Sequence, residues 1–466
     1  MDAIEIFNTK EKNFLEDLFN LLRIPSISRD KNNVRRAANW LKKRLKQTAD
    51  HVELVETTGN PAILAQWSPQ INQELDKEKP TILFYGHYDV QSPDPLDQWI
   101  SPPFEPEIRD GRIYARGVGD NKGQLFANLC AIECVHECEQ LGLRVKFIFD
   151  GEEELGSPYL NEALKAKKDF FRGIDLVIVS DGPAHSSWQP TIEFGVRGIV
   201  TATLELCTAT SDMHSGNFGG IQPNPVWGLI SILQTMRDEE GKCLIEGFYD
   251  DVFTPEPAAL EAAKQLKSLY DPDVYKKQLG ISYFGGERDQ PLVHRVMFRP
   301  TLNICGFQSG SVRDQARTII PREAIVELDI RLVPYQTPEK IEKLVRAHLD
   351  KLKQRSEKWA AILDRCKLSF DGSFYPMYTP LDTPWTKILE ESLREGFSQE
   401  PIKIPLAGGS LPLYSLYEVV EKPLYVLPYA QPDENNHAPN ENMMVDWFVK
   451  GVRTSIILLE KLGKSQ

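Results

Sequence analysis

Histidine and carboxylate side chains follow three short apolar runs of this chain, at the point where each run ends. The runs and the polar residues after them are 81–85 with His87 and Asp89, 145–149 with Glu153 and Glu154, and 176–179 with Asp181. In open α/β sheets, ligands bind where the carboxyl ends of the strands meet. Several carboxylates at one edge repel each other and need a counter-charge, which a metal ion supplies. Any one of these residues alone would more often be structural, but the combination indicates a metal site.

A further acidic residue stands at the predicted start of a helix. Asp120 lies in the segment 116–123, where a helical pattern begins at Gly123. His87 and Asp89 are two positions apart, so their side chains point the same way in an extended segment. Asp89 can then accept a hydrogen bond from the second ring nitrogen of His87. Such a contact fixes the tautomer of a metal-binding histidine and raises its basicity.

The elements that would position these residues alternate between helices and apolar strands. Helical periodicity runs through the first 25 residues and through 34–48 and 123–138, while 62–65, 81–85, 145–149 and 176–179 are apolar runs typical of buried strands. This alternation predicts an α/β domain with a mostly parallel sheet covered by helices.

The pattern changes near Arg197. Residues 199–207 and 324–333 alternate between apolar and polar, as strands with one solvated face do, and 225–236 and 338–353 are helical patterns. These elements predict a second, α+β domain over about 197–373. The polar stretch 68–79 is expected to be a solvated loop.

Length and charge exclude several classes of protein. The 466 residues are 41% hydrophobic, enough for two domains. The net charge of −13 argues against nucleic acid as a partner. The chain has no run of about 18 apolar residues, so no membrane span is expected. The acidic N-terminal segment lacks the features of a signal peptide. The seven cysteines are an odd number, which favours a reducing compartment and therefore the cytoplasm.

Four segments together resemble the aminoacylase–carnosinase group of di-zinc peptidases (clan MH), and especially its dipeptidase branch of carnosinase-like and Cys-Gly dipeptidases. They are Gly86-His87-Tyr88-Asp89, Gly117-Val118-Gly119-Asp120-Asn121-Lys122-Gly123, Glu153-Glu154-Leu155-Gly156-Ser157 and His437-Ala438-Pro439-Asn440-Glu441. The resemblance covers essentially the whole chain. It implies a zinc-peptidase catalytic domain of residues 1–196 and 374–466, into which a smaller lid and dimerisation domain of residues 197–373 is inserted.

The resemblance also implies roles for individual residues. Asp120 matches the carboxylate that bridges two divalent ions, zinc by preference, with manganese or cobalt as alternatives. His87 and Asp181 match the other ligands of one ion, and Glu154 and His437 those of the second. Glu153 matches the general base, with Asp89 beside His87. Two Zn²⁺ and three carboxylate ligands leave one positive charge to acidify a water.

Further residues match substrate contacts of the family. Arg331, Gly409 and Ser410 resemble a clamp for a substrate carboxylate, since the planar guanidinium pairs with two oxygens. The alternative for Arg331 is an ion pair along its strand with Asp329 or Glu327. The set also includes Asn303, and His214 and Thr318 match residues that reach the partner subunit's active site, so a homodimer is expected.

These matches imply hydrolysis of an amide bond in a dipeptide or very short peptide. An N-acyl amino acid deacylase uses the same metal pair and remains the main alternative, and a non-catalytic binding homologue is a third. Where carnosinase-type members carry Gly-His-Gly, this chain has Asp371-Gly372-Ser373, so one substrate contact of those enzymes is missing or replaced. A free ammonium group on the substrate requires an acidic partner, and the sequence does not locate one.

Overall fold

A computed structural model of the chain describes residues 1–70, 79–266 and 269–464. Its helices are α1 (Ala3–Leu22), α2 (Lys31–Leu45), α3 (Lys122–Glu137), α4 (Leu160–Ala166), α5 (Ser215–Phe218), α6 (Pro225–Met236), α7 (Pro257–Gln265), α8 (Pro272–Leu279), α9 (Leu292–Met297), α10 (Pro338–Lys353), α11 (Glu357–Leu363), α12 (Thr386–Phe397), α13 (Tyr414–Val420) and α14 (Val445–Lys464).

The strands are mostly short. They are β1 (His51–Val55), β2 (Ala62–Trp67), β3 (Thr81–His87), β4 (Glu107–Arg109), β5 (Arg112–Tyr114), β6 (Arg144–Asp150), β7 (Leu176–Val179), β8 (Thr191–Glu193), β9 (Gly195–Val196), β10 (Gly198–Cys207), β11 (Met213–His214), β12 (Thr301–Gln308), β13 (Ile319–Ile320), β14 (Glu323–Leu332), β15 (Cys366–Phe374), β16 (Met377–Tyr378), β17 (Ile402–Ile404), β18 (Leu424–Val426) and β19 (Asn442–Met444).

The chain divides into two compact units. The first comprises Met1–Gly195, Thr379–Pro405 and Pro412–Gln466, and the second comprises Val196–Tyr378 with Leu406–Leu411. These bounds differ from the expected ones, because Val196 and residues 374–378 and 406–411 belong to the second unit. Backbone hydrogen bonds hold the latter segment there: the N–H of Arg197 donates to the carbonyls of Ala407 and Gly409.

The first unit contains a mixed sheet of strand order β1-β2-β6-β3-β7-β18-β8-β17. Its four central strands, β6, β3, β7 and β18, are parallel, which confirms the predicted α/β fold with a parallel core. The flanks of the sheet are mixed: β2 is antiparallel to β6 and β8 is antiparallel to β18, whereas β17 is parallel to β8. Apart from Arg144 at the start of β6, every residue of the central strands is buried, which is why their sequences are largely apolar.

Helix α3 is the central helix of the first unit. Every residue from Lys122 to Val135 is buried, and the helix packs against α1 and α14. A helix that is covered on all sides carries no polar face. Cys130 and Cys134 lie in this buried stretch, where a cysteine behaves as a small apolar residue.

The second unit contains an antiparallel sheet of strand order β12-β14-β10-β15. Residues of β10 alternate strictly between buried and partly exposed, as the sequence predicted. The buried face packs against α6 and α10 through Leu229, Ile232, Ile341 and Val345. Strand β12 forms one edge of this sheet.

Two further expectations concern loops and membranes. Most of the predicted loop 68–79 lies outside the described residues, which omit 71–78. Within the ranges that the structure describes, every helix is too short or too polar to cross a lipid bilayer.

Candidate metal centre

The predicted ligands of the first unit lie at the carboxyl edge of its central parallel strands. His87 is the last residue of β3, Asp181 follows β7 by two residues, and the turn that carries Glu153 and Glu154 follows β6. Strand β3 lies between β6 and β7 and is parallel to both. The polar residues after these three strands therefore meet at one edge of the sheet.

Asp120 lies between two imidazoles, with one carboxylate oxygen towards each. Its Oδ1 is 2.9 Å from Nε2 of His87, and its Oδ2 is 3.0 Å from Nε2 of His437. Asp181 completes the first group and Glu154 the second, and within each group the candidate ligand atoms lie within 4.8 Å of one another. Asp120 is the member that both groups share.

The donor set of both groups fits a divalent ion such as Zn²⁺. Each group offers one imidazole nitrogen and two carboxylate oxygens, which are the ligands that zinc accepts in proteins. Three protein ligands leave one position for a water or a substrate atom, as catalytic zinc sites do. The geometry is thus suited to two ions that share one carboxylate.

A tight turn brings both Glu153 and Glu154 to the site. In a straight strand the two side chains would face opposite ways, but Glu153–Leu155 forms a turn of 3-10 helix. Gly156 ends the turn with φ of +82°, a conformation that favours glycine. One carboxylate oxygen of Glu153 lies 3.8 Å from Nε2 of His87 and one of Glu154 lies 3.0 Å from Nε2 of His437.

Asp89 connects His87 to this turn. Its Oδ1 is 3.3 Å from Nδ1 of His87, and the same nitrogen lies 3.1 Å from the backbone carbonyl of Asp89. The carboxylate also accepts the backbone N–H groups of Glu153 and Glu154, each at 3.2 Å, and the hydroxyl of Ser28 at 2.7 Å. Asp89 therefore orients a histidine and positions the acidic turn at the same time.

Glu441 shapes the loop that carries Asp120, a role that the sequence interpretation missed. Its carboxylate accepts the backbone N–H groups of Gly117, Gly119 and Asp120 at 2.9 to 3.0 Å. The guanidinium of Arg116 also donates to it at 2.8 Å. The signal was present, since Glu441 ends the same motif that begins with His437, but backbone acceptors leave no pattern in a sequence.

Asn121 ties together the backbones of two candidate ligands. Its side-chain oxygen accepts the N–H of His87 at 3.2 Å, and its amide donates to the carbonyl of Ser180 at 2.6 Å and to the carboxylate of Asp181 at 2.9 Å. The residue belongs to neither ligand group. It holds the strand ends of β3 and β7 in a fixed relation.

The electrostatics of the site favour positive charge. Burial raises the pKa of Asp181 to about 7 and the pKa of Glu153 well above its usual range. Burial alone would also raise the pKa of Asp120, but hydrogen bonds from His437 and His87 outweigh it and lower that pKa. Hydrogen bonds to Asp120 and Glu154 raise the pKa of His437 to about 10. Grouped acids of this kind are stabilised by bound cations.

In the second unit, the structure brings Arg331 and Ser410 together. Nη1 of Arg331 donates to the hydroxyl of Ser410 at 2.9 Å, while Nε and Nη2 donate to Asp329 at 3.1 to 3.2 Å. The ion pair with Asp329, considered as the alternative, is therefore present together with the contact to Ser410. Gly409 is adjacent to Ser410, and its carbonyl accepts the backbone N–H of Arg197 at 3.0 Å.

His214 and Thr318 are also neighbours within the second unit. His214 pairs with Ile319 across the ladder of β11 and β13, and the carbonyl of Thr318 accepts the N–H of Ser215 at 2.9 Å. His214 is exposed, and its Nδ1 accepts the N–H of Gly216 at 3.1 Å. Asn303 stands apart from them, exposed on the edge strand β12, where it pairs with Asp329 of β14.

Comparison with known proteins identifies the family. The family model described as "Peptidase family M20/M25/M40" matches residues 83–461. The chain is 31% identical to the human Beta-Ala-His dipeptidase over 392 residues, which cover 83% of this chain and 76% of that protein. It is 27% identical to the Cys-Gly metallodipeptidase DUG1 of Saccharomyces cerevisiae, over 97% of this chain and 96% of that one.

The fold is shared with a solved structure. The M20 family metallo-carboxypeptidase Sso-CP2 of Sulfolobus solfataricus superimposes with a TM-score of 0.84 at 32% identity, covering 97% of this chain and 99% of that one. These similarities confirm the resemblance and the enzyme class inferred from the motifs. The chain belongs to peptidase family M20/M25/M40 and is a metallopeptidase.

Proposed function

We propose that this protein is a dipeptidase that hydrolyses the amide bond of dipeptides or very short peptides with two divalent metal ions. The observation that carries the proposal is the position of Asp120, whose two oxygens face His87 and His437 at 2.9 and 3.0 Å. A single carboxylate between two ligand groups is what a paired-metal site requires. The names of two relatives, a Beta-Ala-His dipeptidase and a Cys-Gly metallodipeptidase, support dipeptides as the substrate class.

In this proposal His87, Asp120 and Asp181 hold one ion, and Asp120, Glu154 and His437 hold the other. When bound, the ions polarise the scissile carbonyl and acidify the attacking water. Zinc fits the ligands, and manganese or cobalt would also be accepted.

Glu153 is the proposed general base. It lies beside the ligand cluster without belonging to either ligand group. Burial raises its pKa, which suits a carboxylate that takes a proton from water and then passes it to the leaving amine. Asp89 supports it by fixing both the backbone of the acidic turn and the ring of His87.

Arg331, Ser410 and Gly409 are the proposed partners of the substrate's carboxylate, with Asn303 in the same unit. Arg331 is held in place by Asp329 and keeps 25% of its side chain exposed. A guanidinium with that access can pair with a carboxylate. An N-acyl amino acid also presents a carboxylate, so this contact does not separate the two substrate classes.

We also propose that the chain forms a homodimer through its second unit. The surface of α6 and the edge strand β12 exposes Trp227 (68%), Ile304 (52%) and Phe307 (42%). An edge strand with apolar neighbours favours pairing with another chain. In such a dimer His214 and Thr318 would act in the partner's site, so activity should be lost when the dimer dissociates. Sedimentation of wild-type and Trp227→Glu protein tests this: an active monomer would contradict it.

The substrate class is tested by initial rates of zinc-loaded protein on Ala-Gly and on N-acetylalanine. Faster hydrolysis of the dipeptide is expected. Faster hydrolysis of the acetylated compound would make the enzyme a deacylase and leave the metal site unchanged, and a metal-loaded protein inert on both would favour a binding homologue.

We propose the cytoplasm as the location, which fractionation of the native cells would test.

A further inference from the structure

Glu193 is a carboxylate at the edge of the first unit's sheet that none of the proposed roles uses. It is the last residue of β8 and is partly exposed. Within the described part of the chain, no hydrogen bond or ion pair to its side chain is present. A partly buried carboxylate without a hydrogen-bond or ion-pair partner costs free energy, unless a ligand provides the missing contact.

The register of the sheet places Glu193 near the metal cluster. Glu193 pairs with Val426 of β18, and Val426 pairs with Val179 of β7. Asp181 follows Val179 by two residues. Neighbouring strands are about 4.8 Å apart, so the backbones of Glu193 and Val179 are separated by roughly 10 Å along the same edge.

The charge around Glu193 indicates which kind of ligand fits. Burial, with a smaller contribution from the negative charge of Asp181, raises the pKa of Glu193 to about 8. A nearby positive charge would offset both effects. Glu193 belongs to neither ligand group, so it would not be a direct ligand of a metal ion. A cation brought by the substrate would supply such a charge.

A dipeptide carries such a cation close to its scissile bond. Its α-amino nitrogen is two bonds from the scissile carbonyl carbon, or about 2.5 Å. The acid that binds this ammonium must therefore lie close to the metal ligands, and it must be reachable from solvent. An N-acyl amino acid has no charge at this position, so the acid would also separate the two substrate classes.

Glu434 is the main alternative for this role, but it cannot be reached from solvent. Both of its carboxylate oxygens are closed off from solvent and lack a hydrogen-bond partner among the described residues. The side chain packs against Gly119, where even an added methyl group would collide with it. Glu193, in contrast, keeps part of its surface exposed.

We propose that Glu193 binds the α-ammonium group of the dipeptide substrate and makes this site selective for peptides with a free amino terminus. This inference rests on the proposed dipeptidase function and names the subsite that separates it from a deacylase. Glu193 would form a charge-assisted hydrogen bond with the ammonium while the adjacent carbonyl reacts.

The test compares L-alanylglycine with L-lactoylglycine, in which a hydroxyl replaces the ammonium at equal size. Rates are measured at pH 7, below the ordinary α-ammonium pKa of about 7.7–8.0, on zinc-loaded wild type, Glu193→Gln, Glu193→Asp and the matched control Glu434→Gln. Metal content and melting temperature are measured on the same samples. A charged hydrogen bond predicts a wild-type preference in kcat/KM of about 10- to 100-fold for alanylglycine.

The expected result is that Glu193→Gln loses this preference through a lower rate on alanylglycine, while its rate on lactoylglycine and its metal content are retained. Glu193→Asp keeps part of the preference, and Glu434→Gln keeps all of it. A preference unchanged in Glu193→Gln, or lost only in Glu434→Gln, would overturn the assignment. Wild-type protein that cleaves neither compound would instead contradict the dipeptidase function itself.

Discussion

The two groups of proposed functional residues differ in how firmly the protein holds them. His87, Asp120 and Asp181 are buried, and although His437 is exposed, the backbone and side chains of the cluster are fixed by Asp89, Asn121 and Glu441. Residues of the second unit have fewer supports: His214 is exposed and Arg331 partly so. The first group is arranged before any substrate binds, as metal ligands must be. The second is suited to groups that meet a substrate or a partner subunit.

This difference predicts that substitutions in the first group change metal binding, whereas those in the second change substrate affinity. The largest effect is expected for Asp120→Ala. Removing the shared carboxylate takes one ligand from each group, so both ions and all measurable peptidase activity should be lost. Elemental analysis after dialysis measures this, with Asp110→Ala as a surface control. A variant that retained two ions would contradict the shared role.

The second largest effect is expected for Glu153→Ala, which separates catalysis from metal binding. The variant should retain its metal and lose about 10²- to 10⁴-fold in kcat, the range typical of a general base. Turnover and metal content should be measured on the same sample. Loss of the metal together with activity would instead make Glu153 a ligand.

Asp89→Ala tests the supports of the cluster. The change removes the acceptor for the acidic turn and for His87, so metal affinity should fall by roughly 10- to 100-fold, as for other residues that orient metal ligands. Competition with a chelator measures the affinity, and Ser28→Ala, which removes one donor to Asp89, is a milder control. Unchanged affinity in Asp89→Ala would show that the turn holds its shape unaided.

Arg331→Ala is expected to act on the substrate alone. Loss of a charged hydrogen bond should raise KM for a dipeptide by about 10- to 100-fold and leave metal content unchanged. A dipeptide amide, which lacks the carboxylate, is the control substrate, and its KM should hardly change. An equal loss on both substrates would favour the purely structural ion pair with Asp329.

The same contrast explains what the sequence could predict. His87 and Asp181 were predictable because each stands at the carboxyl end of a buried strand. Helices α6 and α10 were predictable from their apolar periodicity and N-terminal prolines. Strands β8, β17 and β18 have only three residues each, too few for a periodic signal.

Other features depend on contacts between residues far apart in the chain. The segment Leu406–Leu411 joins the second unit through Arg197, more than two hundred residues earlier. Glu441 acts on the backbone of another loop, and Glu193 comes near Asp181 only through the order of the strands. Sequence patterns describe local periodicity, and such contacts lie outside their reach.

The most direct test of the two-metal site is a crystal structure of the zinc-loaded protein with data collected at the zinc absorption edge. Two anomalous peaks about 3.5–4 Å apart, one on each side of the Asp120 carboxylate, are predicted. A single peak, or a pair of peaks away from Asp120, would contradict the account.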